Sequence, residues 1–87
     1  MKSDKDKLML IAATASHKDV SNINVNIVDD LNMDSLDAIS FLFEVEREFN
    51  VKIPEEEIDQ FGLFNLDKLH NYITKKLESI DNPPVSG

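Results

Sequence analysis

The chemically most distinctive position in this chain is a serine with carboxylates on both sides, Ser35, which lies between Asp34 and Asp37. A run of apolar residues at helical spacing follows it as far as Phe49, so the serine stands where a loop should become a helix. Serine is a common helix N-cap, and carboxylates are favoured at the positive end of a helix dipole. A purely structural capping role for Ser35 is therefore one interpretation.

Ser35 lacks the neighbours that serine catalysis requires. A catalytic serine needs a base within hydrogen-bond reach and donors for an oxyanion, and the sequence places no base of suitable pKa beside it. The two histidines, His17 and His70, are far apart in the sequence and are interpreted as surface or packing residues. We therefore predict no catalytic residues, and we interpret Ser35 as the substrate of another enzyme.

The residues just before the serine have part of the spacing of a calcium loop. Asp30, Asn32 and Asp34 match the first, third and fifth positions of an EF-hand. The sixth position should be glycine and is Ser35, and the twelfth should be glutamate and is Phe41. The pattern fails, and we predict no metal site.

Negative charge is concentrated in the middle of the chain. The net charge is −8, and residues 29–59 alone contain eleven acidic and two basic residues, a net charge of −9. Nucleic-acid binding is not expected, because it depends on neutralising phosphates with lysine and arginine. An acidic surface suits basic protein partners, although a surface kept acidic for solubility is the alternative.

Chain length and cysteine content limit the class of protein. The 87 residues are enough for one small domain, and without cysteine any reactive thiol must come from a prosthetic group. No apolar run approaches the roughly 20 residues that span a bilayer, so no membrane insertion is expected. The N-terminal residues lack the apolar segment of a signal peptide, and we expect a cytoplasmic protein.

Apolar spacing predicts helices and no sheet. Residues 17–33 alternate between apolar and polar types, as a strand would, but no second strand pattern could pair with them. We therefore predict an ordered loop over the core that ends at the serine. A folded domain is expected over residues 1–80 and a flexible tail over residues 81–87. The predicted helices run over about Asp4–Ser16, Ser35–Phe49, Pro54–Gln60 and a fourth segment after Asn65. The expected helix caps are Ser3, Gly62 and Asn65.

The apolar residues of the second predicted helix fall into two groups. The arc expected to face the core contains Ala38, Leu42, Val45 and Phe49. Leu36 and Phe43 lie beside this arc, toward the exposed edge, where large apolar residues next to charge often mark a partner site. The alternative is that the bundle buries both of them against the third helix.

The residues around the serine form a longer motif. Asp29-Asp30-Leu31-Asn32-Met33-Asp34-Ser35-Leu36-Asp37 is followed by an acidic helix that ends at Phe49 and then by Ile53-Pro54-Glu55-Glu56. This pattern, from about Ile23 to Ile73, resembles the acyl carrier protein family. The resemblance implies an all-α protein, a small four-helix bundle with three main helices and a short third one, without enzymatic activity.

In that family the serine of the Asp-Ser-Leu motif carries 4′-phosphopantetheine, which implies Ser35 as the attachment residue. A phosphopantetheinyl transferase would attach the arm, whose thiol would carry acyl groups as thioesters in fatty-acid or specialised lipid or polyketide synthesis. The implied partners are acyl-transferring and chain-modifying enzymes with basic docking patches. We expect the protein itself to be a monomer. The expected docking residues are Asp34, Leu36, Asp37, Phe43, Glu44 and Glu48.

The sequence departs from the family pattern at several positions. Asn32 stands where glycine is usual, and asparagine tolerates a left-handed backbone best among the other residues. Ser40 replaces a common glutamate, and Arg47 interrupts the acidic row. Two alternatives remain: a peptidyl or aminoacyl carrier, which usually shows Gly-Gly-x-Ser, and an unmodified helical interaction module.

Overall fold

Four helices build the fold. The computed structural model describes residues 3–81, and over that range the helices are α1 (Asp4–Ser16), α2 (Ser35–Phe49), α3 (Glu55–Phe61) and α4 (Leu66–Asp81). The predicted all-α class is confirmed. The first two helices have the predicted bounds, and the third begins and ends one residue later than predicted. Residues 82–87 of the predicted tail lie outside the described residues. Within residues 3–81, none of the helices has the length and apolar content that crossing a membrane requires.

The helix ends follow the local chemistry expected from the sequence. The Ser3 hydroxyl accepts a hydrogen bond from the Asp6 amide at 3.2 Å, and the Asn65 side chain accepts one from the Lys68 amide at 3.1 Å. Gly62 ends α3 in the left-handed conformation with φ of 61°. These contacts satisfy amides and carbonyls that a helix cannot satisfy internally.

The core forms where α1 packs against α2 and α4. At about 100° per residue, the buried side chains of α2 fall on one side of the helix, which is the arc predicted from the sequence. The buried residues of α2 are Ala38, Phe41, Leu42, Val45 and Phe49. The corresponding stripe on α4 begins with Leu66, Leu69 and Ile73, which are fully buried.

The connection between α1 and α2 is an ordered loop. Its side chains Ile27, Leu31 and Met33 are buried in the core. The Asn26 side chain accepts hydrogen bonds from the amides of residues 28 and 29, both at 2.9 Å, and Asp30 accepts one from the Asn26 amide at 2.8 Å. The prediction of a loop rather than a strand is confirmed, and Asp30 supports the turn.

Backbone hydrogen bonds fix this loop to the start of α4. The Ile27 amide donates to the Phe64 carbonyl at 2.9 Å, and the Leu66 amide donates to the Val25 carbonyl at 2.9 Å. The Met33 amide donates to the Ile27 carbonyl at 3.1 Å, two residues before α2 begins. The position of Ser35 therefore depends on the attachment of the loop to α4.

Asn32 adopts the left-handed conformation expected from the sequence, with φ of 57°. This conformation reverses the chain between the two buried side chains Leu31 and Met33. Asparagine takes the place of glycine here at little conformational cost.

Replacement of Ile27 tests how much the loop contributes to stability. Because this side chain is 0% exposed, Ile27→Ala should lower the free energy of unfolding by about 2–4 kcal/mol in a urea titration. Asn24→Ala, at an exposed position of the same loop, is the control and should change it by less than about 0.5 kcal/mol. Equal free energies of unfolding for the two variants would contradict the packing of the loop against the core.

Candidate functional site

Ser35 is the first residue of α2, and its side chain is exposed. The N-cap is the preceding residue, Asp34, whose carboxylate accepts a hydrogen bond from the Asp37 amide at 2.8 Å. The interpretation of Ser35 as the helix cap is therefore wrong, because the carboxylate of Asp34 is the group that accepts the hydrogen bond from the Asp37 amide. The serine hydroxyl is not needed to start the helix and faces solvent.

The first turn of α2 combines a positive helix end with two carboxylates. The amides of Ser35 and Leu36 lie at the helix start, where α2 has no carbonyl partners for them. The helix dipole favours an anion there, and the neighbouring charges of Asp34 and Asp37 oppose it. A phosphate ester on the serine would therefore sit between attractive and repulsive charges.

The expected docking residues share one exposed face. At about 100° per residue, those that lie within α2 fall in an arc of about 140°, and Asp34 precedes the helix as its N-cap. We call this surface the acidic α2 face. It comprises Asp34, Leu36, Asp37, Phe43, Glu44 and Glu48, all of them exposed.

Two large apolar side chains lie on the acidic α2 face. Leu36 is 80% exposed and Phe43 is 62% exposed. The alternative that the bundle buries them against α3 is therefore wrong. Ser40 and Arg47 are exposed within the same arc, so these two departures from the family pattern fall on this face. Apolar side chains surrounded by charge are a common feature of protein interaction sites.

A small cleft of about 200 Å³ lies between α2 and α3. Its α2 wall begins at Ile39, one helical turn after Ser35, and continues along Leu42 and Phe43. Ile53 and Ile58 form the opposite wall. Sequence analysis did not predict this cleft, because it depends on how α3 packs against α2.

Glu46 stabilises one end of this cleft through a hydrogen bond. Its carboxylate accepts a hydrogen bond from the Ile53 amide at 2.7 Å, which fixes the connection between α2 and α3. Glu46 is therefore a structural carboxylate on the inner side of α2. By helical periodicity, Glu46 lies on a different side of α2 from Glu44 and Glu48. Only the structure identifies its hydrogen-bond partner.

The histidines have separate positions in the fold. His17 follows the last residue of α1 in the left-handed conformation, and His70 is half-buried on α4. Across residues 3–81, no group of three or more histidine, cysteine, aspartate or glutamate residues is arranged to hold a metal ion.

Comparison with known proteins identifies the family. The family described as "Phosphopantetheine attachment site" matches residues 6–72. An acyl carrier protein of Chlorobium phaeovibrioides is 34% identical over 83% of this chain and 92% of its own length. One from Chlorobium luteolum is 33% identical over 84% of this chain and 91% of its own length. The chain belongs to the acyl carrier protein family.

A further relative, the acyl carrier protein AcpXL of Mesorhizobium japonicum, is 36% identical over 69% of this chain and 67% of its own length. No solved structure gives a significant match. Family membership means that the protein is an acyl carrier rather than an enzyme and that it bears a covalently attached 4′-phosphopantetheine. It also means that the protein interacts with a phosphopantetheinyl transferase and with enzymes of synthesis.

The residues at the start of α2 fit such a prosthetic group. Ser35 presents an exposed hydroxyl, and the helix start offers amides to a phosphate. The cleft that begins at Ile39 offers an apolar surface one turn away. The chain itself has no cysteine, so the attached arm supplies the thiol.

Removal of the cap tests the assignment of Asp34. Asp34→Ala should lower the free energy of unfolding by about 1 kcal/mol, because the amide of Asp37 loses its acceptor. Asp34→Ser keeps a capping oxygen and should stay within about 0.5 kcal/mol of the parent protein. Urea titrations of the three proteins measure the difference. An Asp34→Ala protein as stable as Asp34→Ser would mean that another group caps α2.

Proposed function

We propose that Ser35 is the residue to which 4′-phosphopantetheine is attached, and that the protein presents acyl thioesters on this arm to enzymes of fatty-acid or specialised lipid or polyketide synthesis. The observation that supports this assignment is an exposed serine hydroxyl at the start of α2 whose capping role is taken by Asp34. The family motif around the serine points to the same residue.

The chemistry of attachment requires little from this chain. The Ser35 oxygen forms a new bond to phosphorus, the phosphoanhydride bond of coenzyme A breaks, and the adenosine bisphosphate half leaves. The hydroxyl proton passes to a base, which the transferase must supply because no catalytic base is predicted beside the serine. The role of the chain is to hold the hydroxyl in solvent at a rigid helix end.

Measurement of the intact mass tests the attachment residue. After incubation with coenzyme A and a broad-specificity phosphopantetheinyl transferase, the parent protein should gain the mass of one phosphopantetheinyl group. Ser35→Ala should gain none. Ser40→Ala is the matched control, because it removes another exposed serine from the same helix, and it should be loaded fully. Loading of Ser35→Ala would contradict the assignment.

We further propose that the cleft between α2 and α3 shelters the first part of the acyl chain. The cleft begins one turn from the attachment residue, and its walls include Ile39, Leu42 and Ile58. Each buried methylene contributes about 0.8 kcal/mol, so even a partly sheltered chain would favour the bundle over water.

The acidic α2 face is our proposed docking surface for enzymes with basic patches. Asp37, Glu44 and Glu48 provide the charge, and Leu36 and Phe43 provide exposed apolar area beside the arm. A charged face of this kind accelerates encounter, and apolar contacts hold the complex. We propose that the protein works as a monomer in the cytoplasm.

Reversal of one charge on the acidic α2 face tests this surface. Glu44→Lys should lower kcat/KM for the phosphopantetheinyl transferase about fivefold at low ionic strength, because electrostatic steering is lost. Asp19→Lys makes the same change in charge at an exposed position in the loop and should have little effect. The difference should shrink at about 0.5 M salt. Equal rates for the two variants would exclude this face as the docking surface.

A further inference from the structure

A second, larger groove lies on the side of α4. It has a volume of about 800 Å³ and is formed by α4, the end of α3 and the connection after α2. We call it the lysine groove. Its lining includes Lys52, Lys68, Lys75 and Lys76 together with the aromatic residues Phe61 and Tyr72.

The lysine groove has the opposite charge to the rest of the protein. Its four lysines are almost half of the nine basic residues in a chain of net charge −8. Glu57 is the acidic residue in its lining, and this carboxylate accepts a hydrogen bond from the Tyr72 hydroxyl. The groove is therefore a local concentration of positive charge on an acidic protein.

The apolar part of the lysine groove is held in place by contacts within the fold. The rings of Phe61 and Tyr72 are 5.9 Å apart, and the Lys76 ammonium lies 5.1 Å from the centre of the Tyr72 ring. Burial raises the pKa of Tyr72, as do its hydrogen bond to Glu57 and the charges of Glu57 and Glu46. The hydroxyl thus remains a donor, and Phe61 is still 47% exposed.

The lysine groove is remote from the attachment residue. Asn50, which contributes to the groove, follows the end of α2, and Ser35 begins that helix. Fifteen residues of helix separate the two positions by roughly 22 Å. A molecule bound in the groove would leave the start of α2 free.

We propose that the lysine groove docks an acidic segment of a partner protein, with an apolar side chain of that segment placed on Phe61 and Tyr72. The four ammonium groups complement carboxylates, and the two rings offer an apolar contact in the same groove. The stretch from Lys68 to Lys76 measures about 12 Å, which an extended peptide covers with about four residues. This interaction is additional to docking on the acidic α2 face.

The shape of the groove favours a peptide segment over two other anionic partners. A bilayer is flat on this scale, whereas a groove formed by three segments of the chain is better matched to a narrow peptide segment. A second copy of this chain would have to offer its acidic α2 face, which is a head-to-tail contact that continues from copy to copy unless its rotation closes a ring.

The test uses the acetylated and amidated peptide Glu-Glu-Trp-Glu-Leu-Glu. The chain contains no tryptophan, so tryptophan fluorescence reports the peptide alone. Binding is measured on the Ser35→Ala protein, so the result does not depend on whether that residue is loaded. The double variant Lys68→Glu/Lys75→Glu should weaken binding at least tenfold. The matched control Lys5→Glu/Lys18→Glu reverses two other exposed lysines and should stay within about twofold.

Circular dichroism establishes that both double variants are folded, and amide chemical shifts locate the peptide. Shifts confined to α4 and the end of α3 would support the proposal. It would be overturned if the Ser35→Ala protein did not bind the peptide, if both double variants lost affinity equally, or if the shifts mapped to α2. Equal binding of a peptide with lysine in place of glutamate would also overturn it. Self-association, or binding of phosphatidylglycerol vesicles without binding of the peptide, would assign the groove to another partner.

Discussion

The structure depends on the backbone bridge between the α1–α2 loop and the start of α4. Two hydrogen bonds of 2.9 Å, from Ile27 to Phe64 and from Leu66 to Val25, join residues 37 and 41 positions apart in sequence. They hold Ile27 in the core and satisfy polar groups that would otherwise be buried without partners. The bridge also fixes the end of the loop, so the first turn of α2 has a defined position.

A carrier needs this rigidity for a different reason from an enzyme. If Ser35 bears the arm, as we propose, it is presented to several proteins in turn, so its hydroxyl has to be exposed while the helix behind it stays fixed. Asp34 makes this arrangement possible by capping α2 itself. In the docking proposal, the charges around the serine favour encounter with partner enzymes, and those enzymes carry out the chemistry. The lysine groove at the other end of α2 offers an opposite charge for a different class of partner.

Periodicity and local helix signals were sufficient to predict much of this fold. The bounds of α1 and α2, the cap at Ser3 and the left-handed Asn32 follow from residue types within a few positions of each other. The start of α3 was predicted one residue early, because Pro54 lies just before the helix as its cap. Sequence periodicity also placed Leu36 and Phe43 on the exposed side of α2.

Two kinds of feature could not be predicted in the same way: the choice between adjacent capping residues, and contacts between distant segments. Asp34 and Ser35 are both good capping residues, and composition does not decide between them. In the structure Asp34 is the cap, because its carboxylate accepts a hydrogen bond from the Asp37 amide. The cleft beside Ile39 and the lysine groove need the packing of α3 against its neighbours. The hydrogen bond from Ile53 to Glu46 joins residues seven positions apart around a turn, and no periodicity signals it.

The most direct test of the central claim is to locate the prosthetic group on the loaded protein by fragmentation of its tryptic peptides. Cleavage after Lys18 and Arg47 releases residues 19–47, which contain Ser21, Ser35 and Ser40. If Ser35 bears the arm, all fragments that retain the added mass should include Ser35, and the other two serines should be unmodified. An added group on Ser21 or Ser40 would contradict the assignment of the carrier site.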